Sequence, residues 1–234
     1  MAILEKMKSK YFLYPFFSFI LSLLIVILWY PSNLWQYPIQ FTDAPAHYYY
    51  IEKLVRNGFG SAMHLTLEGG FYPPLYHIVA AIFIKIFHVG VMTGSTLSWL
   101  FFNAIVFPVG MIFLVSYFIG RKNIFILALT PILSVSFFAF PYLLLHQGPL
   151  LAYAAATALL PFLIYFTLKF FDALIDFLQN KNKRLLIIYF SASCILGLLS
   201  VLAQPRILFA YGVFILPFLI DYLRKIYKIN PKIA

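Results

Sequence analysis

The sequence predicts an all-α fold: a polytopic transmembrane helical bundle of about seven hydrophobic segments, with a surface helix in the first external loop. Three observations predict it. First, 63% of residues are hydrophobic and 10% are charged, with a mean hydropathy of +0.92. A soluble domain carries roughly 25% charged residues, so too few charges remain here to build a water-facing surface. Second, the apolar residues form continuous runs and do not alternate, which favours spanning helices over barrel strands. Third, aromatics reach 20%, and Tyr and Trp at the run ends suit the headgroup belts.

Seven runs approach the length of about 20 residues that a helix needs to cross about 30 Å of hydrocarbon. They are Tyr11–Tyr30, Pro74–Val91, Leu97–Ile119, Asn123–Leu145, Leu150–Phe171, Leu185–Ala203 and Ile207–Leu223. The first follows Lys6, Lys8 and Lys10 and ends in Trp29-Tyr30-Pro31. Its apolar stretch exceeds a signal-peptide core and lacks a small-residue cleavage site, so it reads as a retained span. The second opens at Pro73-Pro74, tolerated in a first turn whose amides lack partners anyway. The third holds Asn103, read as a helix-to-helix hydrogen-bonding residue. The fourth contains Pro131 and Pro141 and leads into His146-Gln147-Gly148-Pro149. Residues 123–149 therefore read as a broken or re-entrant segment, tolerated where protein buries it. No repeat or linker divides the chain, and residues 1–234 read as a single transmembrane domain.

One connection is long. Residues 31–73 hold Asp43, Glu52, Glu68, His47 and His64, with His77 just beyond, and long loops in compact proteins are usually functional. Within it, Asp43-Ala44-Pro45 is a helix start and Asn57-Gly58 a helix stop. The helix expected over Ala46–Asn57 has an apolar side of Ile51, Leu54 and Val55 and is expected to lie along the membrane surface.

The formal net charge is +10. The basic residues cluster just beyond the apolar runs, which points to membrane lipid headgroups as partners. No soluble basic domain is left to bind nucleic acid, which excludes that class. Cys194 is the only cysteine, so no internal disulfide or cysteine metal cluster can form. If every run crosses once from a cytoplasmic N-terminus, Arg121, Lys122, Lys181, Lys183, Arg184 and the basic tail fall outside, against the positive-inside rule. A fourth run that returns to its own side moves the Lys181–Arg184 loop and the tail to the cytoplasm. The long loop, His146 and Arg206 then face outward from the cell membrane.

Several residues can carry chemistry. Asp43 and His47, four apart, share a helix face if the helix includes Asp43, and such a pair can hold a proton, a phosphate or a metal. Asp43 as a helix cap is the competing reading. His77 is held in the first turn after Pro73-Pro74, between Tyr72 and Tyr76. Arg206, in Gln204-Pro205-Arg206, is placed to form two parallel hydrogen bonds to a phosphate. His146 is a weaker candidate in its Gly-Pro turn. No phosphate-binding glycine loop, HExxH zinc signature or GxSxG elbow is present. Acids are missing from the middle of most runs, which disfavours proton-coupled transport.

These residues fall into a recognisable order. Asp43-x-x-x-His47 follows the first run, and Tyr72-Pro73-Pro74-x-x-His77 opens the second. Later come Phe140-Pro141-Tyr142-Leu143-Leu144-x-x-x-Gly148 and Ala203-Gln204-Pro205-x-x-x-Phe209. From Tyr11 to Leu223 the chain resembles a family of uncharacterised bacterial multispanning proteins related to type C glycosyltransferases. Gln204 stands where that family usually has His. The resemblance implies transfer of a sugar from a polyprenyl-phosphate carrier to an envelope glycan, glycolipid or protein on the outer face. It implies Asp43 as acid/base with His47 beside it. It implies Tyr72, His77, His146 and Arg206 as contacts to sugar and phosphate, with no fixed cofactor and a divalent metal as an option. Two other classes stay open: a non-catalytic subunit working with envelope-assembly proteins, and a lipid or small-solute transporter.

Overall fold

The computed structural model describes residues 2–29, 43–67, 70–120, 123–136, 150–181 and 183–229. Its helices are α1 (Ala2–Trp29), α2 (Ala44–Asn57), α3 (Leu75–Phe87), α4 (Val91–Leu100), α5 (Phe107–Ile119), α6 (Ile124–Val135), α7 (Leu151–Asn180), α8 (Lys183–Ala203) and α9 (Ile207–Ile229). A 3₁₀ helix (Phe59–His64) follows α2, and a two-residue antiparallel pairing of Thr66–Leu67 with Gly70–Phe71 leads into α3.

Four helical stretches among the described residues are long and apolar enough to cross a membrane: Val91–Ile119, α7, α8 and α9. The apolar helices Pro15–Trp29, α3 and α6 are shorter. The run expected to cross as Pro74–Val91 holds only the 13 residues of α3. At 1.5 Å per residue that is about 20 Å, too short to cross alone. The chain turns at His88, in the left-handed region at φ 53°, and comes back as α4. The Tyr76 hydroxyl donates to the Ser95 carbonyl at 2.7 Å, and the Ser98 hydroxyl donates to the Tyr76 carbonyl at 3.1 Å. These bonds set α4 antiparallel to α3. A Cβ on Gly94 would lie 2.3 Å from Ile84 Cγ1, so only glycine permits this approach.

From Val91 the helix continues to Ile119, passing through a π-helical turn at Phe101–Val106. Pro108 explains that turn. It has no N–H for the Ala104 carbonyl and its ring crowds that carbonyl, so one wider turn relieves the clash. The Asn103 side chain donates to the Trp99 carbonyl at 2.9 Å, a role within its own helix. The run Asn123–Leu145 is helical over α6. Its remainder, with Pro141 and His146, lies outside the described residues.

α7 is the central helix: 72% of its apolar window is buried, against 6% for α8 and 17% for α9. Its first half carries Ala152, Ala154, Ala155, Ala156 and Ala158, all buried, and small side chains let neighbouring helices approach closely. α5 runs beside α7 in the same direction. Gly110 meets Pro161 and Phe162, the Phe113 and Tyr165 rings are 5.4 Å apart, and Tyr117 reaches Asp172. α8 and α9 present Ile187, Phe190, Leu198, Phe209, Val213 and Phe214 outward, as lipid-facing helices do.

The bundle has two unlike ends. Tyr222 of α9 sits beside Asp172 of α7, so Lys181, Lys183, Arg184, Arg224, Lys225 and Lys228 share that end. Arg206 lies sixteen residues before Tyr222, about 24 Å away along α9.

Candidate functional site

At the Arg206 end, α2 packs against α3. His47, Tyr50, Ile51 and Leu54 recur at helical spacing and are all buried, which is the periodicity of a docked face. The two helices run in the same direction. His47 lies level with His77, and farther on Lys85 stands over the Phe59 ring at 4.8 Å.

Beneath this face, His47 Nδ1 and His77 Nε2 approach to 2.8 Å with ring planes 19° apart. His47 is 2% exposed and His77 0%. One nitrogen must donate and the other accept, so at least one ring is neutral while the contact stands. The Pro73 carbonyl faces His77, although His77 Nδ1 makes no well-formed hydrogen bond. An N–H on Nδ1 aimed at that carbonyl leaves Nε2 as acceptor and makes His47 Nδ1 the donor. No group of three or more ligating side chains occurs among the described residues.

Three tyrosines enclose His77. The rings of Tyr50, Tyr72 and Tyr76 stand 5.4, 5.4 and 5.6 Å away and steeply inclined to it. Two of their hydroxyls are tied down: Tyr50 donates to the Thr66 carbonyl at 2.9 Å, and Tyr76 to Ser95. Tyr72 is half-buried. Its hydroxyl is pushed up to about 12, first by burial, then by the negative charge of Asp43 and by Tyr50, with Arg206 pulling the other way. Asp43 and Arg206 therefore both lie within electrostatic reach of the Tyr72 hydroxyl, from opposite charges.

Asp43 precedes α2 at φ −83°, ψ −7°, and its side chain accepts no amide of the helix. The capping role is thus not made. Pro45, in the first turn, supplies a preset φ and no N–H that would need a cap. The Asp43 backbone carbonyl accepts from His47 N at 3.1 Å. Its exposed carboxylate has no hydrogen-bond or ion-pair partner among the described residues. Arg206, exposed in the turn between α8 and α9, is likewise without an ion-pair partner there. That turn is closed by Ile207 N to the Gln204 carbonyl at 3.2 Å and Leu208 N to the Pro205 carbonyl at 3.1 Å.

Five of the six residues marked in the sequence thus gather at one end: Asp43, His47, Tyr72, His77 and Arg206. His146 lies outside the described residues. The two histidines sit below the surface, while Asp43, Tyr72 and Arg206 form the accessible part. Tyr50 was not marked. Its signal was the three-residue spacing from His47 on the same face.

A lipid-facing helical bundle with a polar cluster at one end defines a polytopic membrane protein. The chain belongs to the family described as "Family of unknown function (DUF6541)", whose model matches residues 7–227. No curated protein and no solved structure matches it.

Proposed function

We propose that the chain is a membrane glycosyltransferase-like protein that moves a sugar from a polyprenyl-phosphate carrier to a hydroxyl of an envelope glycan, glycolipid or protein. One observation carries the reading. A carboxylate, Asp43, and a guanidinium, Arg206, neither with an ion-pair partner among the described residues, come from distant parts of the chain to the same half-buried tyrosine, Tyr72. A base and a phosphate-binding cation around one aromatic hydroxyl is the minimum set that this transfer requires.

In this reading Asp43 takes the proton of the acceptor hydroxyl. The acceptor oxygen bonds to the anomeric carbon as the bond from that carbon to the phosphate oxygen breaks. The electron pair leaves on the phosphate, whose charge Arg206 stabilises. Tyr72, titrating near 12, remains a neutral donor at physiological pH and offers its ring to the sugar. The histidine pair stays dry and holds α2 on α3, so it fixes Asp43 one turn away. The orientation belongs to the same proposal. The basic residues at the far end suit the cytoplasmic face, which puts the Asp43–Tyr72–Arg206 end outside.

The test is transfer of a labelled sugar from a short-chain polyprenyl-phosphate donor by the purified protein in liposomes. Asp43→Asn is expected to lower the rate by about 10²–10⁴-fold, the usual contribution of a general base, with membrane insertion intact. Full transfer by Asp43→Asn would overturn the assignment.

A further inference from the structure

At the opposite end of the bundle lies a second polar cluster that the transfer does not use. Asp172 of α7 accepts hydrogen bonds from the hydroxyls of Tyr222 on α9 and Tyr117 on α5, the latter at 3.3 Å. The two hydroxyls are themselves 2.8 Å apart. Lys169 Nζ stands 3.9 Å from the same carboxylate and 5.0 Å from the centre of the Tyr117 ring. Three helices are tied at one carboxylate.

We propose that this clasp sets the register of α9 on α7, and so is a positioning device for Arg206 at the far mouth. The inference rests on the role given to Arg206 above. The geometry of α9 makes a register device necessary. Its buried side chains are Ile207, Ile215 and Tyr222, spaced by eight and seven residues, which is a single stripe along one side. Leu208, Phe209, Val213, Phe214, Leu216 and Ile220 on its other faces are apolar and exposed. In lipid no hydrophobic force holds one apolar helix against another, and packing and polar bonds decide the docking. A one-turn slip along such a stripe moves Ile215 to the level of Tyr211 and exchanges one apolar contact for another. It also displaces Arg206 by about 5.4 Å, away from Tyr72. Two polar ties oppose the slip. Tyr211 meets Thr167 at 3.0 Å at mid-helix, and the clasp fixes the end. A slip would pull Tyr222 off Asp172 and break the bonds of its hydroxyl to Asp172 and Tyr117.

Paired spin labels test this without any activity assay. With Cys194→Ser as background, labels at Tyr49→Cys on α2 and Phe209→Cys on α9 report the distance across the mouth; both positions are exposed. The intact clasp gives one narrow distance. Asp172→Ala combined with Tyr222→Phe is expected to shift or split it by about 5 Å, one helical turn. Asp172→Asn keeps an acceptor oxygen and is expected to restore the narrow distance. Tyr222→Phe alone retains the ring against Phe171 and is expected to broaden the distribution in a chain whose packing is otherwise unchanged. A distance identical to the parent in both Asp172→Ala/Tyr222→Phe and Tyr222→Phe would overturn the proposal. A shifted distance in a protein that transfers no sugar would leave the clasp standing and remove only the reading of the mouth.

Discussion

Replacing His77 by alanine removes one partner of the 2.8 Å contact and leaves His47 Nδ1 facing a cavity. The surroundings are already fully enclosed, with His47 2% exposed and three tyrosine rings within 5.6 Å of the lost imidazole. An unsatisfied buried polar group costs about 1–3 kcal/mol. The cavity left by a large-to-small change in a packed interior adds about 2 kcal/mol, the lower end of such substitutions. Tyr50 and Tyr76 cannot collapse into the space without giving up their bonds to Thr66 and Ser95. The sum is about 3–5 kcal/mol, and at about 2–4 °C per kcal/mol for a chain of this size the melting temperature falls by at least 6 °C. Asp43→Ala and Arg206→Ala provide the contrast: both side chains are exposed and neither has an ion-pair partner among the described residues, so each stays within about 0.5 kcal/mol of the parent. Thermal unfolding of the detergent-purified proteins, at one scan rate, reads all three. If His77→Ala melted with the parent, the histidine pair would not be the element that holds α2 to α3.

Other outcomes follow from the same geometry. Gly110→Ala places a Cβ 2.9 Å from Phe162 Cδ2 and is expected to destabilise by about 1–3 kcal/mol through overpacking. Gly197→Ala meets nothing within 4 Å and is expected to be neutral or to stabilise by up to about 1 kcal/mol through helix propensity. Both are read by the same melts. Tyr72 is raised from 10 to about 12 because burial and Asp43 disfavour the phenolate, so its hydroxyl is protonated throughout pH 6–10. Tyr72→Phe should therefore lower transfer without altering the shape of the pH–rate profile in that window. Among the described residues Arg206 is the influence that lowers the Tyr72 titration; Arg206→Ala should move it higher still, read by isotope-edited tyrosine NMR, and should weaken binding of the phosphate-linked donor.

Much of the site was legible because turn chemistry is local. Asp43-Ala44-Pro45 and Asn57-Gly58 bound a helix that runs from Ala44 to Asn57, and Gln204-Pro205-Arg206 marks the turn between α8 and α9. Hydropathy, which measures composition and not direction, could not separate α3, its turn and the first residue of α4. Gly94 and the His88-Val89-Gly90 stretch were the available signal for that hairpin. The run ending at Phe171 continues as helix to Asn180, because Asp172 is clasped by tyrosines and Asp176 accepts from Asn180 at 2.7 Å. Charge looked like a boundary, but hydrogen-bond partners, on other helices for Asp172 and on the same helix for Asp176, remove the reason to stop. The Asp43–His47 spacing places both on one side of α2, yet only His47 lies deep enough to meet α3. Asp43, a turn earlier, emerges beyond the packed face. The 2.8 Å meeting of His47 and His77 is tertiary, and no spacing in the sequence encodes it.

Cysteine labelling across the bilayer bears most directly on the claim that Asp43 and Arg206 converge at an outward mouth. In a Cys194→Ser background, Asp43→Cys and Arg206→Cys should each react with an impermeant maleimide from outside, and Lys181→Cys only from the cytoplasmic side. The Asp43→Cys/Arg206→Cys double variant should be bridged by a short bifunctional maleimide. Labelling of residues 43 and 206 from opposite sides, or from the cytoplasmic side alone, would contradict the account.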